Sequence, residues 1–101
     1  MKKPEASLAI QVLPQSVTED AVLHIVDAVI AYLKSTGLKI VVGPFETTIE
    51  GDFERLMEIA AECQRICIRE KAPGLLTYMK MAYNPNGGIL SIDEKITKHI
   101  A

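Results

Sequence analysis

Apolar positions in this chain switch repeatedly between a period of two and a period near 3.6, and the switches mark out its elements. Residues Ala6 to Pro14, ASLAIQVLP, alternate: Leu8, Ile10 and Val12 fall on one face, Ser7, Ala9, Gln11 and Leu13 on the other. That pattern predicts a strand, ended by Pro14. Ser16-x-x-Glu19 follows, a capping-box signature in which the hydroxyl and the carboxylate satisfy the first free N–H groups of a helix. Val22, Ile25, Val26, Val29, Tyr32 and Leu33 then recur at helical spacing as one stripe, and Gly37 supplies the stop. Leu38 to Val42 is a short β-branched run broken by Gly43-Pro44, and FETTIE (residues 45–50) is a second strand close behind, which predicts an antiparallel pair. Asp52 is the expected N-cap of the next helix, whose buried stripe is Phe53, Leu56, Met57, Ala60, Cys63 and Cys67. Pro73-Gly74 leads into a fourth strand, Leu75 to Tyr83, and NPNGG (residues 84–88) is turn chemistry. A second capping box, Ser91-x-x-Glu94, opens a short C-terminal helix with Ile92, Ile96 and Ile100 on one face.

The order β-α-β-β-α-β plus a short helix predicts an α+β fold of the ferredoxin-like, split βαβ kind: a four-stranded antiparallel sheet with both helices on one face. Residues 1–101 read as one such domain, with 84–101 as its C-terminal turn and helix. The first and third strands are central in this plan, and the second sheet face has no cover of its own. Its residues are Ser7, Ala9, Gln11 and Leu13 from the first strand and Tyr78 and Lys80 from the fourth; if Ile49 points at the helices, Glu46, Thr48 and Glu50 join them. Contiguous part-apolar surface of this kind marks an interface, so a homo-oligomer is expected, with the C-terminal isoleucines reaching a neighbour.

Composition narrows the function. The 101 residues are 49% hydrophobic and 24% charged with a net charge of −2, a soluble globular balance that disfavours broad nucleic-acid binding. The start MKKPEAS lacks a signal-peptide pattern, and no segment approaches the roughly 20 apolar residues of a membrane span. A cytoplasmic protein is expected. Cys63 and Cys67 lie four apart on a helical face and read as buried structural thiols. His24 and His99 have no ligand spacing, so neither metal nor cofactor is expected.

Catalytic signatures are missing too. The chain has no phosphate loop, no Gly-x-Ser-x-Gly elbow and no His-Glu-x-x-His, and the loop after the first strand, PQSVTE, lacks the anion-binding Arg of an acylphosphatase-type enzyme. What stands out is the polar content of the third strand. Glu46 and Glu50 can pair with Lys80 or Lys39, each contact worth about 0.2–1 kcal/mol, or Glu50 can sit just before a helix start. Alternatively they form a ligand site: carboxylates half-buried at an interface suit an amine-bearing or cationic small molecule. Thr hydroxyls and the Gln11 amide add direction, and Tyr78 or Phe45 offers a face for a flat ring.

LAIQVLP near the start, GPFETTIEGDFERLM in the middle and TYMKM on the last strand resemble the small thiamine-binding family, over nearly the whole chain. The middle motif matches at Pro44, Phe45, Thr47, Ile49, Glu50, Gly51 and Asp52, and the strand lysine at Lys80. The resemblance implies a non-enzymatic binder of thiamine or its hydroxymethylpyrimidine moiety, acting in sequestration, delivery or sensing in vitamin metabolism. It also implies dimers or tetramers formed through sheet faces or edges. The site it implies is Gln11, Glu46, Thr47, Thr48, Glu50 and Lys80; Thr47 and Thr48 point to opposite faces, so at most one touches a given ligand, and the family motif favours Thr47. The alternative is an ACT-like regulatory or scaffolding oligomer that holds another small metabolite.

Overall fold

The structure is a computed structural model that describes residues 3–15 and 17–100. In chain order its elements are β1 (Ala6–Pro14), α1 (Glu19–Ser35), β2 (Ile40–Val42), β3 (Thr47–Gly51), α2 (Phe53–Arg69), β4 (Leu75–Tyr83) and α3 (Ile92–Ile96), followed by a 3₁₀ turn over Thr97–His99. The sheet is antiparallel throughout in the order β2-β3-β1-β4, so β1 and β3 are central. This is the ferredoxin-like α+β fold that the element order predicts.

Register decides what each face carries. Leu8 lies opposite Ile49 and Met81, and Ile10 opposite Thr47 and Met79, so these side chains share one face. Against them pack Ile25, Val29 and Leu33 of α1 and Leu56, Ile59, Ala60, Cys63 and Cys67 of α2, all buried. The α2 stripe is shifted from the expected one: Ile59 and Ile66 are buried, whereas Met57 is 46% exposed. At 100° per residue the stripe centres on the 56–60–63–67 row, and position 57 falls past its edge.

Helix starts differ from expectation in their chemistry. Ser16, the expected cap of α1, lies outside the described residues; Thr18 is the N-cap, and its Oγ1 accepts from the Ala21 N–H at 3.2 Å. Asp52 holds the N-cap position of α2 but makes no side-chain cap. Instead the Glu5 carboxylate, 48 residues earlier, accepts from the Phe53 N–H at 2.8 Å. A carboxylate at a helix N-terminus satisfies a free donor and complements the dipole whichever residue brings it.

At the other end of β4, Asn84 Oδ1 accepts from the N–H groups of Asn86 and Gly87, closing the turn. Gly88 has φ +76°, and a Cβ there would stand 2.6 Å from Lys3 Cβ. A side chain at 88 would therefore push the chain off its path back toward Pro4, whose carbonyl accepts from the Ile89 N–H at 2.9 Å.

That path corrects two expectations. The second sheet face is not bare: α3 lies over its Ser7–Glu50 end, and Ile92 is buried. The α3 capping box at Ser91 and Glu94 is present, but the helix stops at Ile96. Ile100 is exposed beyond the 3₁₀ turn, so the three isoleucines do not form one stripe.

Candidate functional site

Small residues on a central strand leave hollows above it. On the face away from α1 and α2, Thr48 of β3, Ala9 of β1 and Lys80 of β4 form one row across the sheet, and Glu50, Ser7 and Ala82 form the next. Over Ala9 and Ser7 opens a hollow of about 320 Å³, walled by Glu46, Thr48, Lys80 and, from α3, Lys95. A second hollow of about 280 Å³ adjoins it under the β2–β3 turn, lined by Val41, Gly43, Pro44 and Phe45 and sharing Glu46 and Thr48 with the first. Together they make one open groove, apolar and aromatic at the Phe45 end and basic at the Lys80–Lys95 end. Each volume sits near the lower bound for small-molecule sites, roughly 300 Å³.

The turn that sets this groove is tight. The Gly43 N–H donates to the Glu46 carbonyl at 2.9 Å, and a Cβ at 43 would lie 2.8 Å from that oxygen. Only glycine fits there, and the close approach swings Glu46 to the groove's midpoint. The Glu46 carboxylate meets Lys80 Nζ at 3.2 Å; the two side chains are 37% and 77% exposed. An ion pair so wet contributes about 0–1 kcal/mol, so an incoming charged group can displace it at little cost.

The six expected site residues divide. Glu46, Thr48 and Lys80 come together in the groove. Gln11 is on the same face, opposite Tyr78, one row further toward Leu13. Thr47 turns to the helix side, 6% exposed, beside a slot of about 190 Å³ under α1 that Gln11, Phe45 and Glu46 also line, so Gln11, Glu46 and Thr47 meet there. The partition follows from Ile49 pointing at the helices: Thr48 is the hydroxyl beside Glu46 and Lys80 in the groove, and Thr47 the hydroxyl beside Glu46 in the slot. Glu50 has a structural partner: its Oε2 accepts from the Ile92 N–H at 2.8 Å and so pins α3 to the sheet. Lys39–Asp93 at 3.2 Å and Lys3–Glu94 at 3.1 Å fasten the same helix. Glu50 and Lys39 thus act on α3 instead of pairing with each other.

Lys95 was not expected at the site. Its arrival depends on the NPNGG turn folding α3 back; the capping box and the isoleucine spacing announced a helix there but not where it would lie.

The remaining reactive groups lie elsewhere. Cys63 and Cys67 are free and buried. Desolvation, with Cys67 adjacent, pushes the Cys63 thiol up to about 12, which leaves no thiolate to act as nucleophile near neutral pH. His24 is solvent-facing with Nε2 2.7 Å from Glu70 Oε1, on the far side of the molecule's helices from the groove. Among the described residues no cluster of three or more His, Cys, Asp or Glu side chains is placed to hold a metal, and no helix is long and apolar enough to cross a membrane.

Fold and groove define a ferredoxin-like α+β domain with a small-molecule-sized hollow on its open sheet face. The chain belongs to the thiamine-binding protein family, whose profile matches residues 8–100. It is 41% identical over 93 residues to a UPF0045 protein of Clostridium perfringens, covering 92% of this chain and 95% of the relative. Among solved structures it is similar to a protein of Streptococcus pneumoniae, with 40% identity and a TM-score of 0.78 over 91% of this chain and 97% of that one. It is also similar to a Thermotoga maritima protein described as a candidate thiamine biosynthesis/salvage protein, with 30% identity and a TM-score of 0.82 over 95% of this chain and 99% of that one.

Proposed function

We propose that this chain binds thiamine or its hydroxymethylpyrimidine moiety in the open-face groove, as a binder and not as a catalyst. The observation that carries the reading is Glu46, held by the Gly43 turn where the aromatic and polar halves of the groove meet. Its carboxylate accepts from the pyrimidine amine, the ring lies against Phe45 and Pro44, and Thr48 fixes the ring's orientation. Phe45 is the most exposed large hydrophobic side chain described, which is the condition of a face awaiting a partner. An ACT-like regulatory role is not favoured by the family or its relatives.

Isothermal titration with thiamine and with hydroxymethylpyrimidine tests this. Saturable binding is expected, with Glu46→Gln weakening it by about 10-fold or more, the worth of a charge-assisted hydrogen bond. Thr48→Val is expected to cost more affinity than Thr47→Val. Unchanged affinity in Glu46→Gln, or no heat with either ligand from folded protein, defeats the reading.

The β4 edge supports self-association. β4 is a nine-residue edge strand whose only charged side chain is Lys80, with Leu76, Tyr78 and Met79 exposed along it. Long apolar edges pair with a second copy unless they are blunted. Light scattering is expected to show an oligomer that Tyr78→Lys combined with Met79→Pro reduces to monomer. A monomer before substitution removes the proposal.

A further inference from the structure

The groove is chemically asymmetric, and its basic end has no task in the binding of an amine. Two ammonium groups, Lys80 and Lys95, line the hollow, and its one lining carboxylate, Glu46, is paired with Lys80. The other carboxylates nearby are engaged elsewhere: Glu50 by the Ile92 N–H, Asp93 by Lys39 and Glu94 by Lys3. Among the described residues Lys95 makes no ion pair. Beneath the two lysines lies Ser7, 6% exposed, and no hydrogen bond among the described residues engages its hydroxyl. No fully enclosed polar side-chain atom in the described chain lacks a partner, so the Ser7 hydroxyl owes its freedom to the hollow it faces. Thr48 contributes a second uncommitted hydroxyl on the same wall. Both hydroxyls open on the hollow, so each can donate to a group that enters it.

Donors and positive charge gathered in one small hollow call for a compact multivalent anion. We propose that this end of the groove receives a phosphate monoester, so that the ligand read by the chain is the phosphorylated form of the heterocyclic alcohol, amine toward Glu46 and phosphate toward Lys80 and Lys95. The inference rests on the vitamin-binding reading and specifies the ligand within it. A phosphate carries about −1.5 to −2 charge near neutral pH, which matches two ammoniums, and its three free oxygens accept from the lysines and both hydroxyls. Lysine serves such a group as a point charge. The thiazolium of thiamine would occupy the same end and lie against two like charges, so within the vitamin-binding reading this pose selects the phosphorylated pyrimidine over thiamine. The phosphate also takes over Lys80 and frees Glu46 for the amine, so the exposed Glu46–Lys80 pair is exchanged for two contacts in one step.

The test is calorimetry with hydroxymethylpyrimidine, its phosphate ester and inorganic phosphate, all at low fixed salt, on the wild type, Lys95→Gln and Lys98→Gln. The ester is expected to bind about 10-fold or more tightly than the alcohol, the gap to shrink to about twofold in Lys95→Gln, and to persist in Lys98→Gln, whose lysine lies outside the groove lining. Ser7→Ala is expected to reduce the same gap several-fold. Equal affinity for alcohol and ester overturns the phosphate assignment and leaves the vitamin-binding reading standing. A gap that survives Lys95→Gln overturns it as well. Binding of inorganic phosphate without either heterocycle, lost in Lys95→Gln, overturns the ester assignment and leaves a bare anion site. No binding of any of the three overturns the phosphate assignment, and thiamine titrated alongside decides whether the vitamin-binding reading falls with it.

Discussion

The two faces of the sheet are made from the same strands and do opposite work. On the helix side, Leu8, Ile10 and Ile49 are sealed by α1 and α2, and the chemistry is that of a packed interior. On the other side, one residue along each strand, Ser7, Ala9 and Thr48 are small, and the larger Glu46 and Lys80 stand at the rim of a groove. Burial is near-complete in the first case and deliberately partial in the second. Stability is therefore concentrated on one set of alternating positions, which leaves the other set free for recognition.

The contrast can be broken at Ile49. Ile49→Ala should cost about 2–5 kcal/mol by denaturant unfolding, the range for a fully buried aliphatic truncation, while its neighbour Thr48→Ala should stay within about 0.5 kcal/mol. Comparable costs at the two positions would mean that the open face also carries the fold. Glu50→Ala should cost about 1.5–3 kcal/mol locally, the worth of a charged hydrogen bond, seen as faster exchange of the Ile92 amide while core amides keep their protection. Full protection there would show that Glu50 is not what fastens α3.

Smaller effects sharpen the comparison. Thr47→Val should alter stability by no more than about 1 kcal/mol, because its hydroxyl, though near-buried, is not fully enclosed and faces the slot; a larger loss would indicate that the hydroxyl has a firm partner there. Cys63 adds a pH signature. Its thiol is raised to about 12 in the folded chain, whereas an unfolded thiol ionises near ~8.5. The unfolded state therefore binds fewer protons above that value, and the stability contributed below it is lost as pH rises from about 9 toward 12. Cys63→Ala should flatten that part of the unfolding profile. Smallest of all, Lys80→Met should alter stability by no more than about 1 kcal/mol, since its partner Glu46 is only half-covered and the pair is wet.

Why some of this was legible in the sequence follows from range. β1 announced both its faces because period two is a local property, and once Ile49 was set toward the helices the positions of Glu46, Thr48 and Glu50 followed. The ferredoxin-like order was legible for the same reason. The motif favoured Thr47 over Thr48 for the ligand, but a motif match carries no direction, and register sends Thr47 to the helix side. Three further features depend on contacts between distant segments: Glu5 capping α2, Glu50 holding α3, and Lys95 entering the groove. No pattern within a few residues encodes a partner 42 or 48 positions away. Met57 failed for a different reason, since a stripe read from sequence has no measured width until the sheet beneath it is known.

The alternation on β3 has a consequence for how such a chain can change over generations. Thr47 and Thr48 answer to different surroundings, one to the fit beneath α1 and one to whatever occupies the groove. On the proposed reading, substitutions at 46, 48 and 80 would retune ligand preference without touching the sealed positions of the helix side, so new specificities would be reachable by single steps. The freedom is bounded by phase. Insertion or deletion of one residue within β3 would exchange the two sets at once, presenting Ile49 to the groove and Glu50 to the interior, so this lineage is expected to vary by replacement within the strand and to confine length changes to its turns.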